Sequence, residues 1–412
     1  MEVFCLMFVN MKRILFSFIG ALLLVGFVYA FTEENLIFEE DESLEILGVA
    51  SNPFSLGGGW QYRIPITIDA AQIDADLTNF PVYVNLANFS LQFFNIVSST
   101  GADIRIINAS NVEMPREIVA ITTSTQTGEL YFRADAIDDT VNTTFYLYFG
   151  NPNALEPVAN SDYGRNAVWN VQYLGVWHLN ENYGATSFVD SSGNGHTMTC
   201  SGSGCPVGVA TGLIGRSFHF DETNDELIAD FPILNTTTAA WPHSITAWVT
   251  TTDVSGNPSI VSQFYTVPSG AADRFSFRAD TSGRVTYWKG GSFIATSSAS
   301  AVTSGNRTYV GYTENSSQSV QIYVNGEANG VAKLDSNDFM NVTTTIGDSA
   351  QATGPTAVWR GGIDEVRIAT GTLTAAWLKA EFVNINTSTI FYSTSSVQSV
   401  GGSVGLMMAD IF

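Results

Sequence analysis

Val320-Gln321-Ile322-Tyr323-Val324-Asn325-Gly326 is the stretch whose reading decides the fold. It is a strand running into an Asn-Gly pair, two residues that tolerate positive φ and so close a tight hairpin. Working outward, Ser244-Ile245-Thr246-Ala247-Trp248-Val249 and Gly362-Ile363-Asp364-Glu365-Val366-Arg367-Ile368 read as further strands. Thr374 then offers an N-cap for a short helix carrying Trp377.

The same signal recurs upstream. Tyr62, Ile64, Ile66 and Ile68 alternate with Arg63, Pro65, Thr67 and Asp69, the period of a half-buried strand. Pro65 lacks an N–H and predicts an edge or a bulge for that strand. Phe80 to Leu86, Asp103 to Ile107, Glu129 to Ala134 and Thr144 to Phe149 follow as strands, and no long stretch of this half repeats every 3.6 residues. The 412 residues suffice for two domains. Charged residues are only 14%, and polarity comes instead from Ser, Thr, Asn and 36 Gly, a mix for short strands and tight turns. The expectation is an all-β chain of two β-sandwich domains, residues 60–155 and 165–395.

The formal charge is −22, from 39 acids against 17 bases, which argues against nucleic-acid binding because phosphate would be repelled. Acidity suits solubility outside the cell and capture of a divalent cation. Lys12 and Arg13, the uncharged apolar run Ile14–Tyr29 and Val28-Tyr29-Ala30 have the order of a secretory signal over residues 1–30. Left uncleaved, the same run would anchor the chain in a membrane. Residues 31–59, rich in Glu and ending in a Gly triplet, read as a flexible acidic linker, and residues 396–412 as a tail. Cys200 and Cys205 flank four small, flexible residues, and export favours a disulfide between them. A metal is the rival reading, but nothing nearby completes a ligand set.

Two resemblances sharpen this picture. Trp60 to Thr67, Gly101 to Arg105 and Tyr148 to Asn151 resemble, in order, a microbial domain of unknown function often found just before laminin-G-like domains in surface proteins. From Gly175-Val176-Trp177-His178 through Val189-Asp190-Ser191-Ser192-Gly193-Asn194-Gly195 to the Gly362–Ile368 strand, the second half is similar to the laminin-G-like, concanavalin A-type jelly roll. That resemblance assigns Trp177, Trp248 and Trp377 to packing. It also implies a structural calcium (Ca2+) shared by an early Asp-rich loop and a late Asp, for which Asp190, Asn194 and Asp364 are the candidates. Asp364 shares the parity of Val366 and Ile368, so it is expected to point inward with them. The competing reading makes Asp190 and Asn194 simple turn formers.

Catalysis finds little support. Glucanases of this architecture carry Glu-x-Asp-x-Glu along one strand, placing the carboxylates on one face. No strand here has that spacing, and His178, His196, His219 and His243 are dispersed. Tyr287 and Trp288 in Val285–Gly291 are candidates for a sugar platform, and opposite parity predicts that one is buried and the other presented. Sequons at Asn88, Asn108, Asn142, Asn235, Asn306, Asn315, Asn341 and Asn386 permit glycosylation without arguing for it. The reading that emerges is a noncatalytic binding or adhesion protein, extracellular or in the cell envelope, whose partner is a glycan or a cell-surface protein. A structural subunit of a surface layer, appendage or stalk is the alternative, and a polysaccharide-active enzyme the third.

Overall fold

The computed structural model describes residues 58–169, 171–209, 212, 214–229, 242–264, 274–335, 343–348 and 357–400. The expected leader, nearly all of the linker, the last twelve residues of the tail, and Asn235 and Asn341 lie outside them.

The first sandwich opposes two antiparallel sheets. One runs from Glu113–Met114 through Arg105–Asn108 and Thr143–Phe149 to Tyr62–Ile68. The other holds Leu77–Asn85, Thr127–Ile137 and Arg116–Thr122. Ile64, Ile66 and Ile68 are buried as their alternation requires, and meet Phe80, Val82, Leu130, Phe132, Phe145 and Leu147 in one core.

Tyr62–Ile68 is not an edge strand. Tyr392–Thr394 pairs with its end and Gln398–Ser399 with its start, on the side away from Thr143–Phe149. Pro65 is tolerated because it falls where these two short strands are interrupted; its carbonyl there accepts from the Ser395 amide at 3.3 Å. The end of the chain thus closes a sheet begun by its start.

In the second sandwich, eight strands form one sheet, running from Ser292–Thr296 through Val285–Lys289, Arg274–Ala279, Ser259–Phe264 and Thr344–Ile346 to Ser187–Phe188. Nine form the other. Its central strand, Arg360–Ala369, has His243–Val249 on one side and Ser217–Asp221 and Tyr173–Trp177 on the other. Between the sheets lie Trp177, Phe218, Phe220, Ile245, Phe277, Val285, Ile346 and Ile363.

The helix Ala375–Asn386 joins the two cores. Thr374 caps it, its hydroxyl accepting from the Trp377 amide at 3.1 Å. It is longer than the short helix expected, because it has two surfaces to cover. Trp377 packs edge-on against Phe80 of the first sandwich at 5.0 Å between centroids. Phe382 stacks on Trp248 of the second at 5.6 Å. One hydrophobic cluster therefore runs from Ile64 through Tyr131 and Trp169 to Trp248, Tyr309 and Trp377.

Candidate functional site

The outer face of the nine-stranded sheet is covered in two places. The helix lies over Trp248 and Tyr309, and the first sandwich meets Glu365 and Arg367. Beside them a cleft of about 320 Å³ remains, lined among others by Ser217, His219, Trp248, Thr250, Arg307 and Asp364.

Simple alternation places most of these groups. Phe218 and Phe220 turn into the core, so Ser217 and His219 turn out. Ala247 and Val249 turn in, so Trp248 turns out. Gly362 keeps the floor low, since a Cβ there would come within 2.6 Å of Thr250 Oγ1. Asp364 arrives by an irregularity. Trp248 pairs with Asp364 while Thr246 pairs with Arg367, so the central strand holds one residue more than its neighbour, and Glu365 takes φ 50°. This bulge breaks parity. Ile363, Val366 and Ile368 face the core, whereas Asp364 lines the cleft, contrary to its expected inward direction.

Trp248 is 2% exposed, and its indole N–H has no hydrogen-bond acceptor among the described residues. The residues that line the cleft thus include an indole, a guanidinium, an imidazole, two hydroxyls and a carboxylate. That is a donor and acceptor set for a polyhydroxylated ligand. Among the described residues Asp364 is the one carboxylate that lines it, whereas glycosidic hydrolysis uses two flanking carboxyls.

The candidate calcium ligands are each engaged in hydrogen bonds. The Asp190 carboxylate accepts from the Val176, Ser192 and His196 amides and the Ser192 hydroxyl, at 2.7–3.0 Å. The Asn194 amide donates to the Tyr173 and Leu174 carbonyls. Asp364 Oδ2 accepts from the Ile214 amide at 3.5 Å. Asp190 and Asn194 share the Ser192 hydroxyl as a partner, and donors already occupy both oxygens of Asp190.

Of the platform candidates, Tyr287 is fully buried, so it presents no surface to a sugar. Trp288 is half-buried and lies under the Arg278 guanidinium at 4.7 Å, with exposed Phe293 on the same cation at 5.0 Å. Cys200 and Cys205 form a disulfide.

Residues that looked dispersed in the sequence assemble where the two sandwiches meet. His178 Nδ1 lies 2.7 Å from Glu365 Oε1, and Nε2 lies 3.2 Å from Glu117 Oε2. Trp169 Nε1 and the Ser191 hydroxyl donate to Glu117 at 2.6 and 2.7 Å. Arg367 bridges Glu365 at 2.7 Å and Glu381 at 3.2 Å, and donates to Tyr131 Oη. Glu365 and Arg367 are about 1% exposed. Buried as these groups are, they form an ionic clasp between the two sandwiches. Only its spacing in three dimensions reveals it, since Glu117, His178 and Glu365 lie far apart in the chain.

Residues 221–379 match the family model described as the concanavalin A-like lectin/glucanases superfamily. The second sandwich is a concanavalin A-like jelly roll. No curated protein matches the chain. Among solved structures, part of the chain is similar to domain 4 of an extracellular arabinanase from Geobacillus stearothermophilus in complex with arabinotriose. Identity is 18%, the match covers 50% of this chain and 97% of that one, and the TM-score is 0.39. A Ruminococcus gnavus sialidase module bound to sialyllactose matches at 16% identity over 35% of this chain and 84% of that one, with a TM-score of 0.30. A Trypanosoma rangeli sialidase with sialic acid matches at 11% over 69% of this chain but only 44% of its own, with a TM-score of 0.40. Likenesses this loose say nothing about ligand or activity.

Proposed function

We propose that this is an exported, noncatalytic binding protein whose jelly roll takes a carbohydrate in the cleft beside Asp364. The reading rests on one observation: a nearly buried Trp248 whose N–H meets no acceptor among the described residues lines a cleft with groups that match sugar hydroxyls. Leaving such a donor unmade in the free protein costs about 1–3 kcal/mol, which a ligand oxygen would recover. One carboxylate among the described lining residues suits binding better than hydrolysis. The disulfide suits an oxidising compartment outside the cytosol.

A glycan array with the mature protein, run with and without calcium, tests the reading. Trp248→Phe keeps an aromatic ring beside Phe382 and deletes the N–H together with the pyrrole half of the indole. It is expected to weaken binding of the best ligand about tenfold, consistent with loss of one hydrogen bond, and to lower the melting temperature for the space left in a buried site, so binding is measured where the variant is fully folded. No ligand under either condition, or a ligand indifferent to Trp248→Phe, Arg307→Ala and Asp364→Asn, would overturn it.

A further inference from the structure

A second polar cluster is buried inside the jelly roll, and the cleft makes no use of it. Tyr287 and Lys289 sit two residues apart on Val285–Lys289 and therefore point the same way. Tyr312 and Glu314 do likewise on Thr308–Glu314, a strand of the opposed sheet. Asp335 follows the short strand Lys333–Leu334. Lys289, Glu314 and Asp335 are each 3% exposed or less. Lys289 Nζ lies 2.8 Å from Asp335 Oδ2. Tyr287 Oη lies 2.9 Å from Asp335 Oδ2 and 3.0 Å from Glu314 Oε2. The phenol has one proton to give, so two short contacts to carboxyls are best satisfied when one of the two is itself protonated. Burial, the dominant cause, pushes the Glu314 carboxyl up to about 7, which makes it the natural holder of that proton. His243 Nε2 lies 2.7 Å from Tyr312 Oη, and its Nδ1 is 3.9 Å from Glu314. The rings of Phe275 and Tyr312 pack against Tyr287 at 5.3 and 4.8 Å.

An amine, a carboxyl and a protonated acid in a dry aromatic pocket are the parts of an amide-forming centre. We propose that Lys289 and Asp335 become joined by an intramolecular amide bond. Water normally opposes this reaction because it solvates ammonium and carboxylate well, and here that solvation is withdrawn. Fixed contact adds an effective molarity of about 10⁵–10⁸ M for well-oriented partners. The ammonium first passes a proton to Asp335, giving amine and acid. The Nζ lone pair then forms a bond to Asp335 Cγ, and a Cγ–O bond breaks. Nζ loses a second proton and the departing oxygen gains one, so ammonium plus carboxylate yields amide plus one water. Tyr287 touches the reacting oxygen and relays protons; Glu314 acts through Tyr287 as their reservoir.

The product would tie the eight-stranded sheet to the segment after Lys333–Leu334, which pairs with Ser319–Val324 of the opposed sheet. Two buried charges would vanish and the sandwich would gain a covalent brace.

Peptide mapping of the reduced, denatured protein decides the matter. The expected result is one branched peptide containing Lys289 and Asp335, lighter than its two parts by one water, with no tryptic cut after Lys289. Lys289→Arg and Asp335→Ala should each abolish it. Tyr287→Phe and Glu314→Gln should lower the cross-linked fraction, and Glu314→Gln should also remove the pH dependence of its appearance after refolding, which a merely structural role would not move. Recovery of Lys289 and Asp335 in separate linear peptides from wild-type protein overturns the proposal, whatever the variants do.

Discussion

Burial alone would drive the proton off His178, yet Glu365 and Glu117 hold the imidazole up at about 10. Unfolded, it titrates near 6.5. Its contribution to stability is therefore complete below pH 6.5, shrinks as pH rises, and is gone above about 10. The same contacts act from the acid side. Burial opposes ionisation of Glu117 and Glu365, but for Glu117 His178, Ser191 and Trp169 together outweigh it, and for Glu365 His178 and Arg367 do, so each carboxyl stays below its ordinary 4.5. Their share is present above that value and fades as pH falls beneath it. Urea unfolding should thus show stability declining from about pH 6 toward about pH 9. His178→Gln should cost about 3–5 kcal/mol near neutrality, because it strips charge from a buried pair, and should flatten that alkaline decline. An alkaline slope identical in the variant would remove His178 as its source.

At the scale of elements, the helix Ala375–Asn386 does a strand's work. Asn384 Oδ1 accepts from the Tyr83 amide at 2.7 Å, and its Nδ2 donates to the Tyr83 carbonyl at 2.9 Å, satisfying the free edge of Leu77–Asn85. Asn384→Leu leaves both backbone groups buried and unmade, for an expected loss of about 2–4 kcal/mol. Faster hydrogen exchange at the Tyr83 amide would locate the damage there, and unchanged exchange would refute it. Thr374 was legible as a cap because capping is local chemistry. Asn384 was not, since nothing near it in sequence names Tyr83. The bulge at Glu365 was equally hidden: strand parity is readable only while the count is unbroken, and a glutamate with positive φ carries no mark of it. Hence Asp364, read from the sequence as an inward-facing metal ligand, faces the cleft instead.

For the molecule as a whole, residues 53–400 form one compact unit. Period-two alternation made both sandwiches readable, from Ile64–Ile68 in one to Val320–Val324 in the other. Their mutual dependence was not readable, because it rests on three-residue and two-residue strands near the chain end and on acids separated by the whole jelly roll. A fragment of residues 57–155 lacks Tyr392–Thr394, Gln398–Ser399 and the helix that covers Phe80. It is expected to show loose packing by near-ultraviolet circular dichroism and a lower, broader melt than residues 57–400, which should unfold in one transition. A fragment melting as sharply and as high as the longer chain would count against a shared core.

The closing of the first sheet has a mechanical consequence. Tyr62 lies opposite Ser399, and the Val400 amide bonds to the Gln61 carbonyl at 2.9 Å, so both ends of the unit leave from one corner on adjacent antiparallel strands. Tension applied between those ends would strain the backbone bonds one rung after another, as a zipper opens, instead of loading the whole row in shear. Under a pulling force the first sandwich would therefore yield early, by peeling away Gln398–Ser399 and then Tyr392–Thr394, while the jelly roll beyond it stayed intact.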